Sequence, residues 1–364
     1  MTACTPIRTA IIGLGWAGRS IWGSRLREHP AYEVTALVDP EPVARASASR
    51  DFPEAVALPD AAALRPGEVD LAVIAVPNHQ HARVAADLLI RGVPVFVEKP
   101  VCLSTAEADT LAEAERMGGA VLLAGSAARY RADVRTLYGL AAGLGPIRHV
   151  DAAWVRAKGV PGMGGWFTSR RLAGGGALID LGWHLLDAVA PLVGPGGYRE
   201  VLGSVSGDFV GGEAWAAAWR YDDVPVHADG DVEDTARGFL ISDSGVSVSL
   251  RASWASHEAY DKTVLAVEGV NGTARLVCTF GFSPHRHDGS TLTVTRDGAT
   301  DTVPVAVELV GIEYRRQLDE LPGLLADPAA RGAAIGEARS TIEAIERLYA
   351  SARRTPAVAV REAS

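Results

Sequence analysis

The sequence predicts a two-part α/β protein: a doubly wound parallel sheet, then a second α/β unit with a large, open, mostly antiparallel sheet. Three observations carry that prediction. Over the first third, near-continuous apolar runs alternate with helical patterns, as buried parallel strands and their crossover helices do. A glycine-rich turn joins the first run to the first helix, and the second run ends in a carboxylate. From Tyr198 the pattern changes to short alternating segments separated by Gly, Asp and Asn turns. On this basis we divide the chain into residues 1–127 and 128–364.

At 364 residues, 48% hydrophobic and 22% charged, the chain is long enough for two domains with cores of their own. Lys and Arg number 35 against 44 Asp and Glu, a formal net charge of −9. That balance argues against nucleic acid or an anionic membrane as the main partner. Cys4, Cys102 and Cys278 are scattered, odd in number and without metal-ligand spacing, which favours a reducing cytoplasm over a disulfide framework. The first residues show no basic segment leading into an apolar one, as a secretory signal requires. No uninterrupted apolar run reads as long enough to cross a bilayer.

Arg8 to Gly13 is an apolar strand that ends in Gly13-Leu-Gly15-Trp16-Ala17-Gly18, with a helical pattern over Arg19 to His29. Gly13 permits the tight turn, Gly15 lets backbone approach a pyrophosphate, and Gly18 allows close helix–strand packing. The helix N-terminus then offers free N–H groups to the phosphates. Glu33 to Asp39 is the second strand, and Asp39 lies 21 residues beyond Gly18, where an acid accepts hydrogen bonds from the adenosine ribose. Pro40 and Glu41 follow it, with no Arg or Ser to receive a 2′-phosphate, so NAD is favoured over NADP. The third strand, Asp70 to Val76, runs into Pro77-Asn78-His79-Gln80-His81, and the fourth, Gly92 to Val97, runs into Glu98-Lys99-Pro100. Ligands in such sheets bind beyond the carboxyl ends of the strands, which places Val76, Pro77, Asn78, His81, Glu98 and Lys99 at the site. A helix over Thr105 to Met117 and a strand over Val121 to Gly125 complete this part.

A helix after Tyr130 and a strand over Ile147 to Val155 open the second part. The loop from Lys158 to Arg171 is glycine-rich and carries Trp166, Arg170 and Arg171. It is placed to cover a site, with Trp166 stacking and an arginine reaching substrate or phosphate; a solvated surface loop is the other reading. Next comes Gly174-Gly175-Gly176-Ala-Leu-Ile-Asp180-Leu-Gly-Trp183-His184-Leu-Leu-Asp187. Asp180 and His184 are four apart on a helix and share a face. A carboxylate and an imidazole in so apolar a segment are either a satisfied buried pair or chemistry. Asp187, one turn further, reads as a structural hydrogen-bonding group. The glycines read as letting this helix N-terminus approach the nicotinamide end of a cleft.

Strands are expected over Glu200–Val210, Glu213–Tyr221, Asp234–Ser242, Val246–Ser256, Thr263–Gly269, Thr273–Cys278 and Thr291–Thr295, with a hairpin at Val270-Asn271-Gly272. Trp215, Trp219 and Trp254 are assigned to packing. His285, His287 and Asp288 lie in a polar turn without a matching ligand set elsewhere, so no metal site is expected. Amphipathic helices over Gly311–Leu325 and Ala329–Ala352 are expected to pack back on the second domain.

Gly13-x-Gly15-x-x-Gly18, Pro77-Asn78-x-x-His81, Glu98-Lys99-Pro100 and Gly174-Gly175-Gly176-x-Leu-x-Asp180-x-Gly-x-His184-x-x-Asp187, in this order, resemble the Gfo/Idh/MocA family of NAD(P)-dependent oxidoreductases. The resemblance covers nearly the whole chain. It implies an N-terminal Rossmann domain, a C-terminal α/β domain whose sheet forms a homodimer or homotetramer interface, and a polyol or sugar substrate. It also implies roles: Lys99 holds the reacting hydroxyl, Asp180 orients substrate and His184 is the general acid/base. Trp183 stands where a smaller residue is common in the family, and is expected to shape the substrate pocket.

The leading expectation is therefore an NAD-dependent dehydrogenase of a sugar, sugar conjugate or cyclitol, with a keto-sugar made ahead of amination in secondary metabolism as one setting. An NAD-dependent glycosidase using transient oxidation and a non-catalytic dinucleotide-responsive regulator are the alternatives. A regulator is expected to have lost the lysine and the histidine, and this chain keeps both.

Overall fold

The structure, a computed structural model, describes residues 5–162, 165–217 and 230–354. Strands β1 (Ile7–Ile12), β2 (Tyr32–Val38), β3 (Val56–Leu58), β4 (Leu71–Ile74), β5 (Val95–Val97) and β6 (Leu122–Ala124) form one parallel sheet in the order β3-β2-β1-β4-β5-β6. All four residues of β4 are buried, as expected for a central strand covered on both faces. The strand order reverses between β1 and β4, so the glycine turn and the loop after β4 flank the crevice where such sheets bind ligands. Helix Thr105–Gly118 shows how local chemistry sets an element: Ser104 Oγ accepts the Glu107 N–H at 3.1 Å at its start, and Gly119, at φ 65°, stops it.

The second sheet has eight strands: β7 (Ile147–Val155), β8 (Tyr198–Ser206), β9 (Thr235–Ser242), β10 (Ser247–Ser253), β11 (Lys262–Gly269), β12 (Gly272–Cys278), β13 (Thr291–Arg296) and β14 (Ala299–Val303). Their order is β14-β13-β12-β11-β7-β10-β9-β8, antiparallel except where β10 meets β7. The expected hairpin joins β11 to β12, pairing Gly269 with Gly272. Helices Ala132–Ala141, Trp183–Val193 and Ala333–Arg354 cover one face. The other face leaves the cross-strand pair Leu202 and Phe239 at 65% and 44% exposure.

Several expectations are corrected. Glu213–Tyr221 does not begin as a strand: Glu213–Trp215 is a single 3-10 turn and Ala216 makes an isolated bridge to Val160. Residues 218–221 of that expectation, with Trp219, lie outside the described residues. Strand β8 stops at Ser206 because the Phe209 and Val210 N–H groups turn to the Asp234 carboxylate. Helix Ile312–Ala326 does not return to the second sheet: Leu318 and Leu321 pack with Ile11, Trp22 and Phe96 beneath the first. The segment Arg170–Val193 is, contrary to expectation, long and apolar enough to cross a membrane by length and composition, but 83% of its most apolar stretch is buried inside the protein.

Candidate active site

The ends of β1, β2, β4 and β5 meet the ends of β7 and β12 across a cleft of about 570 Å³. Gly13, Gly15, Trp16, Ala17, Asp39, Val76, Pro77, Asn78, His81, Glu98 and Lys99 line its first-sheet wall. Trp154, Arg156, Trp166, Phe167, Asp180 and His184 line the other.

The glycine turn fits a dinucleotide by its own geometry. Gly13 adopts φ +89°, and a Cβ there would stand 2.5 Å from the Ala75 carbonyl oxygen. A Cβ on Gly18 would reach 1.9 Å from the Gly13 carbonyl oxygen, so that glycine serves the packing of turn on helix. A Cβ on Gly15 would meet nothing within 4 Å and would project into open space at the turn, where a pyrophosphate belongs. Asp39 is fixed at the far end: one oxygen accepts the Leu14 N–H at 2.8 Å and the other accepts the Glu41 N–H at 2.9 Å. The helix after the turn opens with a π-helical segment, Ala17–Gly23, so it starts two residues before the expected boundary.

Asn78 and His81 hold the frame. The Asn78 amide donates to the Ala173 carbonyl at 3.0 Å, tying the loop after β4 to the residue before Gly174. The His81 ring bridges the Pro100 and Val76 carbonyl oxygens at 2.7 and 2.8 Å. Burial pushes its pKa down. Glu98 accepts the Trp22 indole N–H and the Lys99 backbone N–H, each at 2.8 Å.

Lys99 reaches across the cleft and donates to Asp180 Oδ1 at 2.6 Å. The other oxygen of Asp180 accepts the Trp254 indole N–H at 2.9 Å and faces the Arg156 guanidinium at 3.9 Å. Burial works to raise the Asp180 pKa, but the Lys99 and Arg156 charges and the two hydrogen bonds overcome it and hold the carboxyl well below its usual range. His184 sits one turn on, its ring 5.5 Å from that of Trp154 and half-buried against the cleft. Burial, then the Lys99 charge, pushes its pKa down to about 3 against the pull of Asp180, so the imidazole is neutral at physiological pH. Asp180 lies on a π-helical segment, Leu178–Gly182, that passes into helix Trp183–Val193. Such segments recur at functional sites, and no residue pattern in the sequence announced this one.

Trp183 and Arg170 stand elsewhere than expected. Trp183 is 3% exposed and packs in the core rather than on the cleft. Arg170 does not enter the cleft: its backbone N–H goes to Asp231 at 2.6 Å and its guanidinium turns to Glu233, 3.7 Å away, and over the Tyr349 ring. Arg171 is exposed. Trp254, assigned to packing, is fully buried but also holds Asp180. Trp166 lines the cleft as expected, beside Phe167. Asp187 is structural: it accepts from Ser126 and pairs with Arg129 at 2.8 Å, and burial raises its pKa to about 6.

Sequence reading missed Trp154, Arg156 and Tyr314 on the cleft. Trp154 is the penultimate residue of β7 and Arg156 the first beyond it, a strand-end placement that could have flagged them; Tyr314 comes from a helix distant in sequence and gave no signal. The glycine triplet serves another purpose than the one expected. A Cβ on Gly176 would lie 1.8 Å from the Glu233 carbonyl oxygen, and one on Gly175 would lie 2.0 Å from the Tyr349 hydroxyl. The His285–Asp288 turn is held by backbone and by Arg286 bonds to the Thr279 and Gly281 carbonyls, and among the described residues no group of three or more His, Cys, Asp or Glu is placed to bind a metal.

Comparison with known proteins identifies the family. Residues 7–126 match an oxidoreductase family with an NAD-binding Rossmann fold, and residues 141–275 match the GFO/IDH/MocA C-terminal domain. A protein of Amycolatopsis mediterranei (strain S699), provisionally named as a UDP-kanosamine synthase oxidoreductase subunit, is 57% identical over 349 residues, 95% of this chain and 96% of its own. The D-glucoside 3-dehydrogenase of Escherichia coli (strain K12) is 32% identical over 200 residues, 52% of this chain and 55% of its own. A levoglucosan dehydrogenase solved with NADH and L-sorbose superposes with a TM-score of 0.80 at 17% identity, over 96% of this chain and 98% of its own, and shows the common fold. The chain thus belongs to the Gfo/Idh/MocA oxidoreductases and carries their NAD-binding Rossmann domain.

Proposed function

We propose that the protein oxidises a secondary alcohol of a sugar or sugar conjugate to a ketone with NAD, or runs the reverse reduction, and that Lys99, Asp180 and His184 are its catalytic residues. One observation carries this reading: Lys99, from the wall that bears the glycine turn, meets Asp180 at 2.6 Å beside a neutral His184 on the opposite wall. NAD, which the Gly13–Gly18 turn and Asp39 would hold, would supply the oxidant as hydride acceptor. The protein must remove the hydroxyl proton and stabilise the oxygen while that happens. His184, unprotonated, accepts the proton on a ring nitrogen. Lys99 donates a hydrogen bond to the same oxygen and stabilises its developing negative charge. Burial is the main cause of the low pKa at His184 and the Lys99 charge the second; the hydrogen bond from Lys99 lowers the pKa of the substrate hydroxyl, which favours the transfer. Asp180 fixes the Lys99 ammonium and offers its carboxylate to a neighbouring hydroxyl.

Two names support a narrower substrate. The Amycolatopsis protein is named for an amino sugar on a nucleotide, and the Escherichia coli protein for position 3 of a glucoside. We read the substrate as a nucleotide-linked hexose whose 3-hydroxyl becomes the ketone that an aminotransferase then takes. Residues 1–127 form the cofactor body and 128–364 the substrate body, with Ile312–Ala326 lent back to the first. NAD is preferred over NADP because Asp39, Glu41, Asp60 and Asp87 line the ribose end of the cleft. The open sheet face bearing Leu202 and Phe239 is the surface we assign to self-association.

The test is NADH formation with UDP-glucose, glucose and simple glucosides, with product analysis. UDP-glucose-dependent NADH with a 3-keto product is the expected result. Free sugar released without net NADH indicates a glycosidase, and no turnover with any sugar refutes the dehydrogenase.

A further inference from the structure

Glu233 lies on the chain entering β9, 4% exposed, and its carboxylate is turned inward. Oε1 accepts the Gly176 and Leu178 backbone N–H groups, each at 3.0 Å, and the Tyr349 hydroxyl at 2.7 Å. The two N–H groups open the helical stretch that bears Asp180 and His184, where helical backbone has no partner of its own. A carboxylate there also faces the positive end of the helix dipole. The Glu233 carbonyl accepts the Ala177 N–H at 3.0 Å, and Gly176 is glycine because that carbonyl leaves no room for a Cβ. The neighbouring residue holds the other side of the site. The Asp234 carbonyl accepts the Trp254 backbone N–H at 2.8 Å, and the Trp254 indole in turn holds Asp180 at 2.9 Å. Two residues earlier, Asp231 binds Thr168 and Arg170 on the loop that carries Trp166.

We propose that Glu233 is a positioning residue for the reaction, locking the start of the helix that carries Asp180 and His184 and so setting both against Lys99. It touches neither substrate nor cofactor; it acts through Gly176 and Leu178. Tyr349, from helix Ala333–Arg354, locks the carboxylate in turn, so the last described helix of the chain helps define the catalytic geometry. The inference rests on the dehydrogenase reading above and extends it to residues outside the cleft.

The test compares Glu233→Met, which keeps the volume and removes the acceptors, with Glu233→Gln, which keeps an acceptor oxygen at the Oε1 position. The full-length enzyme is assayed with NAD and UDP-glucose. In Glu233→Met, kcat is expected to fall about 10- to 100-fold, the scale of a misplacement of roughly 1 Å at the reacting groups. KM for NAD and the affinity for NADH stay at wild-type values, because the glycine turn lies on the other wall. Glu233→Gln recovers most of kcat. A second readout needs no turnover: ¹⁵N chemical shifts of the His184 ring in the NADH complex. Wild type and Glu233→Gln keep that ring neutral through the physiological range, while in Glu233→Met it titrates at higher pH as it moves away from Lys99. Wild-type kcat and His184 titration in Glu233→Met overturn the proposal. So does a loss that Gln fails to recover and that follows only the melting temperature. Lys99→Met, run in parallel, separates the two readings: if it keeps wild-type turnover, the functional reading fails, whatever Glu233 does.

Discussion

Trp254 donates its indole N–H to Asp180 at 2.9 Å while Lys99 donates to the opposite carboxylate oxygen at 2.6 Å, so the carboxylate is gripped from both sides. The tryptophan is fully buried just beyond β10, and the lysine lies two residues beyond β5, so the grip spans the two sheets. Trp254→Phe keeps most of the packing and removes the donor. The expected outcome is a loss of about 1–3 kcal/mol of transition-state stabilisation, read as a fall in kcat of roughly 5- to 100-fold with the fold retained. Steady-state kinetics with circular dichroism checks it; unchanged kcat removes Trp254 from the catalytic arrangement.

The pH dependence follows from two depressed pKa values. Asp180 is held below the usual carboxylate range and His184 at about 3, so both are deprotonated from neutral pH down through 6.5. The kcat/KM profile should therefore keep its plateau through the ordinary histidine range. Stability behaves differently. The folded value for His184, about 3, lies below its unfolded value near 6.5, so the unfolded chain takes up the proton first. The stabilisation from a neutral ring is complete above pH 6.5 and is lost as pH falls toward 3. In His184→Asn the melting temperature should decline less steeply over that window, and an identical slope refutes the assignment.

The cofactor half was readable because each of its parts has a local mechanical reason. Gly13 needs positive φ, Gly18 needs absence of a side chain, and Asp39 ends a buried strand. Lys99 was readable because a cation at a strand end before proline has few structural uses. What stayed hidden was set by tertiary approach. Gly175 and Gly176 are glycines because Tyr349 and Glu233 press on them from far along the chain, and nothing near the triplet says so. Trp183 and Arg170 misled for the same reason. Helical spacing fixes which residues share a face but not which face the cleft takes, and Asp231 and Glu233 draw Arg170 away from it.

Two glycines of similar appearance in the sequence should respond differently to alanine. A Cβ at Gly176 would stand 1.8 Å from a backbone oxygen that has little freedom to move. Gly176→Ala is expected to lower stability by about 3 kcal/mol, seen as a lower denaturation midpoint without any cofactor present. At Gly15 a Cβ would meet no protein atom within 4 Å. Gly15→Ala should therefore leave the midpoint unchanged and weaken NADH about tenfold or more, about 1.4 kcal/mol, by occupying space meant for the pyrophosphate. Equal destabilisation in the two variants contradicts both assignments.

Cofactor preference should turn on the charge of Asp39 more than on its shape. Its oxygens accept the Leu14 and Glu41 N–H groups, which holds the carboxylate at the end of the cleft where the adenosine ribose belongs. Glu41, Asp60 and Asp87 line the same end, so a 2′-phosphate would enter an acidic surrounding. Arg83 and Arg91 line the cleft as well, but Arg83 stands 3.9 Å from Asp87 and Arg91 is engaged by the Ala61 and Leu64 carbonyl oxygens, as Arg45 is by those of Asp39 and Pro40. Asp39→Asn keeps an acceptor for one backbone N–H and removes the charge. The ratio of kcat/KM for NAD to that for NADP should fall about tenfold, equivalent to roughly 1.4 kcal/mol of lost repulsion against the phosphate. Measuring both cofactors at low and high salt completes the test. If charge is the cause, added salt narrows the wild-type ratio and affects the variant less; an unchanged ratio in Asp39→Asn shifts the discrimination to the shape of the β2 turn.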